Sequence, residues 1–248
     1  MCHRALPVEC VTERLAEMAD WGYPYPVSET RTLTFRPVNF RTMTDDGSDA
    51  DDRPDYEAQV RDAFPEIADI EDADLRKKVV EAWTLGLERG GWRDVSDVPY
   101  AWNIHEVTNV EHVRGVTRIA VRSAEEQRDF HGADPDFDVI RAACLLHDVG
   151  KCYEYVDHVD DEKLLDPDPT YATKEIPHSL SGYALAHEVG CPLAVQRAIP
   201  HFLGEVPERT LEAELVKSAN SASSNAITQS AMGITLQEWV DEYSQTTG

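Results

Sequence analysis

Apolar residues recur at helical spacing through most of the chain after residue 55. The first clear case lies within residues 73–89, and Gly90 and Gly91 follow it directly. The apolar side of this segment comprises Leu75, Val79, Ala82, Trp83 and Leu87. A stripe with this period predicts an amphipathic helix, and the glycine pair predicts its end.

The same pattern predicts further helices over the rest of the chain. They cover residues 108–128, 136–149, a segment beginning at Pro177, a segment from Pro192 to about Pro200, residues 209–231, and a C-terminal segment capped by Thr235 and Glu238. Asp136 is a typical N-cap residue, and the two prolines suit first-turn positions. We therefore expect an all-α domain, a helical bundle over residues 56–248.

Residues 1–55 differ in character from this domain. They contain Pro24, Pro26 and Pro37, a β-like run at 32–35, and an acidic tract at 45–52. Proline spacing of this kind interrupts regular structure, and a run of acids favours a solvated loop. The prediction is an irregular N-terminal extension with an acidic loop.

The charge balance changes the picture of possible partners. The 248 residues include 23 Lys and Arg against 47 Asp and Glu, which gives a formal net charge of −24. A surface this acidic repels nucleic acid and anionic membranes, so we expect neither as a partner. Adaptation to high intracellular salt is favoured over an ordinary solvated surface with one acidic loop. Any anionic substrate would need a local positive charge, which a metal can supply.

Cysteine usage and the chain start suggest a compartment. The five cysteines are odd in number and form no CxxC pair, which favours a reducing environment. The first ten residues lack the pattern of a signal peptide, and no apolar stretch approaches the ~18 residues of a membrane span. We expect a cytoplasmic protein that acts on a small molecule; a homo-oligomer stays open.

The candidate chemistry lies in five residues of metal-ligand type. They are His112, the adjacent pair His147 and Asp148, His178 and His201. A lone histidine on a half-apolar helix is more often a core or surface residue than a ligand. The pair carries the prediction, because an aspartate rarely ends a buried apolar run without a partner. Imidazole with carboxylate suits Fe, Mn, Zn, Ni or Co, as one or two ions.

The order and spacing of these residues resemble the HD-domain superfamily of metal-dependent hydrolases. The resemblance covers residues 108–225 and is carried by NVEHVRGVTRIA, CLLHDVGK, IPHSLSGYALA and IPHF. It implies an HD-domain-like helical bundle. It also implies that His112, His147 and Asp148 hold one ion, while His178 and His201 hold a second that Asp148 bridges.

One position departs from the family pattern. The family usually supplies a last aspartate from a later helix, and in LVKSANSAS the corresponding residue is Asn220. Its neutral amide oxygen is a weaker ligand than a carboxylate. Weaker metal binding, one ion in place of two, a different chemistry, and a contact to substrate are all open interpretations of Asn220.

The leading functional hypothesis is metal-assisted hydrolysis of a small, phosphorylated molecule. Asp148 would anchor the metal and accept a proton from water. Lys151 would hold a phosphate oxygen, or would simply be a cation at a helix C-terminus. Two alternatives stay open: a di-iron oxygenase that cleaves a small polyol or phosphonate, as the family also contains, and a non-catalytic binding module with a degenerate site.

Overall fold

The computed structural model describes residues 54–101, 104–154, 178–199 and 210–239. All but two residues of the predicted N-terminal extension lie outside these ranges. The extension, its acidic loop and the boundary at residues 55–56 therefore stay predictions. None of the described helices is both long and apolar enough to span a bilayer.

The described part of the chain is mostly helical, as predicted. In chain order its elements are α1 (Tyr56–Ala63), α2 (Ala73–Gly90), β1 (Pro99–Ala101), β2 (Ile104–Thr108), α3 (Asn109–His131), α4 (Phe137–Leu146), α5 (Lys151–Glu154), α6 (His178–Glu188), α7 (Leu193–Ala198) and α8 (Leu211–Met232). Short 3-10 turns cover Pro65–Asp69 and Val95–Asp97. The all-α class is correct apart from the small hairpin of β1 and β2.

Capping residues define the helix ends that the sequence predicts. Gly91 ends α2 in the left-handed conformation with φ 80°. The Asp136 carboxylate accepts from two backbone amides at the start of α4. Thr235 and Glu238 exchange the two hydrogen bonds of a capping box. The caps provide hydrogen-bond partners for backbone groups at the helix ends that have none within the helix. They therefore define where each helix begins or ends.

Helices α3, α4 and α8 form the centre of the domain, since α3 packs against both of the others. Each of the three helices contributes small buried residues to the core, for example Ala120, Ala143 and Ala219. Trp83 of α2 fills the space beside α4, and its indole N–H donates to the Leu145 carbonyl at 2.8 Å. Burial of this large ring with its one donor satisfied anchors α2 to the core.

The β1–β2 hairpin is a feature that the hydrophobic pattern did not predict. The strands run antiparallel, with Pro99 opposite Thr108 and Ala101 opposite Ile104. They are only three and five residues long, too short for a clear alternating pattern. The hairpin leads directly into α3 and carries Tyr100, whose ring lies 4.5 Å from the His112 ring between centroids.

Helix α4 ends three residues earlier than expected. It stops at Leu146, and residues 147–150 form a turn in place of the predicted helix to Val149. In this turn the Val149 N–H donates to the Leu146 carbonyl and the Lys151 N–H to that of Asp148. These i to i+3 bonds are tighter than those of an α-helix. The adjacent residues His147 and Asp148 therefore both lie in the turn directly after α4.

Glycine is required at position 150 because of close packing. Its φ is not positive, so the turn itself does not need glycine. A Cβ atom at this position would lie 1.9 Å from the His178 carbonyl oxygen and 2.7 Å from the Gly182 nitrogen. The absent side chain lets the backbone of α6 pack directly on the turn that carries Asp148.

Replacing Gly150 by alanine should therefore separate α6 from this turn. We expect a loss of roughly 1–3 kcal/mol in the free energy of unfolding, as for other overpacked sites. Gly115→Ala is the matched control. Its Cβ would lie 3.6 Å from the Ser223 hydroxyl, an ordinary van der Waals distance, and alanine has a higher helix propensity than glycine. Urea unfolding of the two variants checks this; equal stability would contradict the close approach.

Candidate metal centre

Three buried donor atoms converge where α3 meets the turn after α4. His112 Nε2 lies 3.2 Å from His147 Nε2. Asp148 Oδ2 lies 3.4 Å from the first of these nitrogens and 3.5 Å from the second. The three residues are at most 2% exposed. Separations of this size are those of ligands that share one ion, so the group is able to hold a metal.

The ring of His147 is oriented by the chain that precedes it. Its Nδ1 lies 2.6 Å from the Cys144 carbonyl oxygen, which can only accept a hydrogen bond. The Nδ1 atom must therefore carry the proton, and the neutral ring presents a lone pair at Nε2. A backbone carbonyl behind the distal nitrogen is the usual arrangement for a histidine that binds metal.

His112 is oriented from the opposite side, by α8. Its Nδ1 lies 3.1 Å from the Ser223 hydroxyl, and Asn220 also hydrogen-bonds to this residue. Tyr100 covers the ring from the hairpin. Helix α3, which carries the residue, helix α8 and the hairpin therefore together hold this imidazole with its Nε2 toward His147 and Asp148.

Burial sets the charge states of these ligands. Loss of solvent lowers the pKa of His112 well below its usual value, and it lowers the pKa of His147 as well. Burial alone would raise the pKa of Asp148, but His147, Lys151 and His178 outweigh it and hold this pKa well below the usual range. The group thus contains neutral imidazoles and an ionised carboxylate, the forms that bind metal.

The Asp148 carboxylate is incompletely satisfied by the protein. Its Oδ2 is buried and has no partner in hydrogen-bond geometry within the described part of the chain. The Lys151 ammonium lies 2.8 Å away as an ion-pair contact, and Lys151 also donates to the Tyr100 carbonyl at 2.5 Å. A buried anion with an unused acceptor, facing two imidazole nitrogens, fits a divalent cation.

The second oxygen of Asp148 faces a different histidine. His178, the first residue of α6, has its Nε2 3.4 Å from Oδ1. Its side chain is 23% exposed, whereas that of Asp148 is 3% exposed. The structure thus places His178 against Asp148, at the oxygen that does not face His112 and His147, and its role as a ligand stays a prediction.

Two predicted site residues have different outcomes. Asn220 is buried in α8 and adjoins His112, so it lies at the site; its Oδ1 accepts a hydrogen bond from the Ser224 hydroxyl at 3.3 Å. His201 lies outside the described residues, and its role as a ligand stays a prediction.

Residues that orient the ligands were not identified from the sequence. Ser223, Glu154 and the Cys144 carbonyl contact the distal nitrogens of three histidines. Ser223 and Glu154 are ordinary polar residues with no motif of their own. Glu154 does follow Asp148 and Lys151 at intervals of three, a spacing that could have placed it on the same side of the chain.

Tyr100 also adjoins the site, whereas Trp83 and Trp92 pack in the core. Burial raises the pKa of Tyr100 to about 12, so the phenol stays protonated. Trp83 and Trp92 are buried with their indole N–H groups bound to the carbonyls of Leu145 and Cys152, which is a core-packing role.

Comparison with known proteins gives a family and a relative. Residues 109–224 match the family model described as HD domain. A dihydroneopterin 2',3'-cyclic phosphate phosphodiesterase from Methanocaldococcus jannaschii is 35% identical over 96 residues, which covers 35% of this chain and 38% of that protein. The matched part is thus well under half of this relative. The comparison with solved structures gives no match.

The lowered pKa values predict a pH-dependent stability. The unfolded histidines take up protons near pH 6.5, whereas His112 and His147 stay neutral when folded. The contribution of these two rings to the free energy of unfolding is therefore fully present above about pH 6.5. It is lost as the pH falls below that value, by up to roughly 1.4 kcal/mol per pH unit for each ring. Asp148 titrates below this range.

Urea unfolding of the cation-free protein at pH 7.5 and pH 5.5 measures the effect. We expect a lower free energy of unfolding at pH 5.5 and a smaller drop in His147→Gln. An equal drop in the variant and the wild type would show that this ring is not held neutral.

Proposed function

We propose, from the match of residues 109–224 to the HD domain family, that the protein is a metal-dependent hydrolase of a small, phosphorylated molecule. The observation that carries the proposal is the convergence of His112, His147 and Asp148 on one point. The five-residue set that the sequence indicates would then hold one or two divalent transition-metal ions: Fe, Mn, Zn, Ni or Co.

The relative supports a phosphodiester as the substrate class. That protein is named for a cyclic phosphodiester of a small molecule. Because the matched part covers only 38% of that protein, the substrate itself is not carried over. We propose a small phosphodiester, with a cyclic phosphate as the first compound to test. The acidic chain supports a small ligand over nucleic acid, since a net charge of −24 opposes a polyanion.

In the proposed reaction the protein provides orientation and charge. A divalent cation bound at this site supplies Lewis acidity for water and for a phosphoryl oxygen. His112 and His147 hold their Nε2 lone pairs toward the same point, because Ser223 and the Cys144 carbonyl fix the other side of each ring. The ligands are thus oriented before any substrate arrives, which lowers the cost of reorganisation in the reaction.

Asp148 and Lys151 have linked roles in this proposal. Asp148 stays ionised, so it can anchor the cation and accept a proton from the attacking water. Lys151 is 5% exposed and lies against both Asp148 and the Tyr100 ring, with its Nζ 4.5 Å from the ring centroid. Its ammonium lies 2.8 Å from Asp148 Oδ2, so it would contact a phosphate oxygen bound at the same cation. Lys151 is the first residue of α5 and does not end a helix.

The two alternatives differ from this proposal in measurable ways. An oxygenase of the same family would need iron and oxygen, so metal analysis together with anaerobic turnover separates it from a hydrolase. A degenerate binding module would hold no metal. The intact convergence of three ligands supports a working centre over a degenerate one.

The central experiment is hydrolysis by the metal-loaded full chain. We expect release of a phosphomonoester from 2',3'-cyclic nucleotides or bis(p-nitrophenyl) phosphate, lost on chelation and restored by one of the five metals. Asp148→Asn should abolish metal binding and turnover together. Asp129→Asn is the control, since Asp129 is exposed and pairs with the neighbouring Arg128. Turnover that survives complete metal removal would contradict the proposal.

Asn220 offers a second test of the centre. Asn220→Asp adds a negative charge beside His112, so we expect cation binding to tighten, by roughly tenfold or more. The same charge should destabilise the cation-free fold, because it would be buried beside His112 with no cation to offset it. Calorimetric titration with Mn²⁺ and thermal unfolding measure the two effects. Unchanged affinity would place Asn220 outside the ligand set.

A further inference from the structure

Glu154 contacts the candidate metal centre although it is not one of the five residues of metal-ligand type. It ends the short helix α5, and its Oε2 accepts a hydrogen bond from His178 Nδ1. Only 15% of the Glu154 side chain is exposed. The two residues are 24 positions apart, so this contact joins α5 to the start of α6 and is not a product of local sequence.

The contact extends directly to Asp148. While Nδ1 of His178 faces Glu154, Nε2 of the same ring lies 3.4 Å from Asp148 Oδ1. The ring therefore stands between two carboxylates. Asp148 in turn divides its oxygens, with Oδ1 toward His178 and Oδ2 toward His112 and His147.

This arrangement fixes which nitrogen of His178 is available to a cation. A carboxylate is an acceptor only, so Nδ1 donates to Glu154 and Nε2 is the nitrogen left to bind a metal. A carboxylate behind the distal nitrogen also makes the imidazole a stronger donor. The charge matters in this chain because Asn220 contributes none, which leaves Asp148 as the one carboxylate among the described ligands.

We propose that Glu154 is a positioning residue of the metal centre, which holds His178 with Nε2 toward a cation at Asp148 Oδ1 and strengthens the binding of that cation. This inference rests on the proposed function, because it requires a cation at the centre. Glu154 contacts no reacting atom in this role. Its effect on the cation passes entirely through the His178 ring.

Titration of the tag-free, full-length protein with Co²⁺ alone tests the role without any substrate. The visible absorption of the bound ion reports both affinity and coordination. We expect Glu154→Ala to weaken binding by about 10- to 100-fold, as for other residues that orient a metal ligand. Glu154→Gln keeps the shape and an acceptor but not the charge, and it should weaken binding less. Both variants should also change the absorption spectrum.

Glu66→Gln is the matched control. Its carboxylate is similarly buried, with 13% of the side chain exposed, and it pairs with Arg114 away from the ligand atoms. It should bind Co²⁺ as the wild type does. Thermal unfolding without Co²⁺ shows whether each variant folds. If Glu154→Ala does not fold, Glu154→Gln carries the test.

A double-mutant cycle shows whether Glu154 acts through His178. On a His178→Gln background, Glu154→Gln should cause no further loss of Co²⁺ affinity. Equal losses on both backgrounds would overturn the positioning role, as would wild-type affinity and spectrum in both Glu154 variants. Failure of the wild type to bind Co²⁺, Mn²⁺, Zn²⁺, Ni²⁺ or Fe²⁺ would instead overturn the proposed function and this inference with it.

Discussion

A buried carboxylate is the constraint on which this domain depends. Asp148 is 2% exposed and ionised, and an isolated charge in that position would cost several kcal/mol. The protein offsets part of this cost with one ammonium, from Lys151. Three histidine Nε2 atoms also face the carboxylate, where a bound cation would offset the rest. Helices α3, α4 and α6 and the turn after α4 all have to meet for this to happen. The helices that form the core are therefore the same ones that position the residues of the site.

The fold follows from this requirement at two specific places. Helix α4 ends at Leu146, so that both His147 and Asp148 leave its end toward α3. The bare backbone of Gly150 then lets α6 approach closely enough to bring His178 to the other carboxylate oxygen. A helix that continued to Val149 would have turned these adjacent side chains about 100° apart.

Much of this arrangement can be predicted from the sequence, and the reasons are local. Apolar spacing predicts the long helices, and caps such as Asp136 and Gly91 define their ends within the chain itself. The ligand residues are recognisable because histidine and aspartate have few other reasons to lie in an apolar segment. By contrast, Glu154, Ser223 and Tyr100 reach the site only through contacts between distant segments. The turn after α4 likewise packs against α6, a contact that no short window of sequence contains.

The central claim is that His112, His147 and Asp148 share one cation. Anomalous scattering from crystals of the full chain grown with Mn²⁺, recorded on both sides of the metal edge, tests it most directly. The account predicts a peak about 2.0–2.2 Å from Nε2 of both histidines and from Oδ2 of Asp148. A refined structure without a peak between these atoms, or with the two imidazoles turned away from each other, would contradict it.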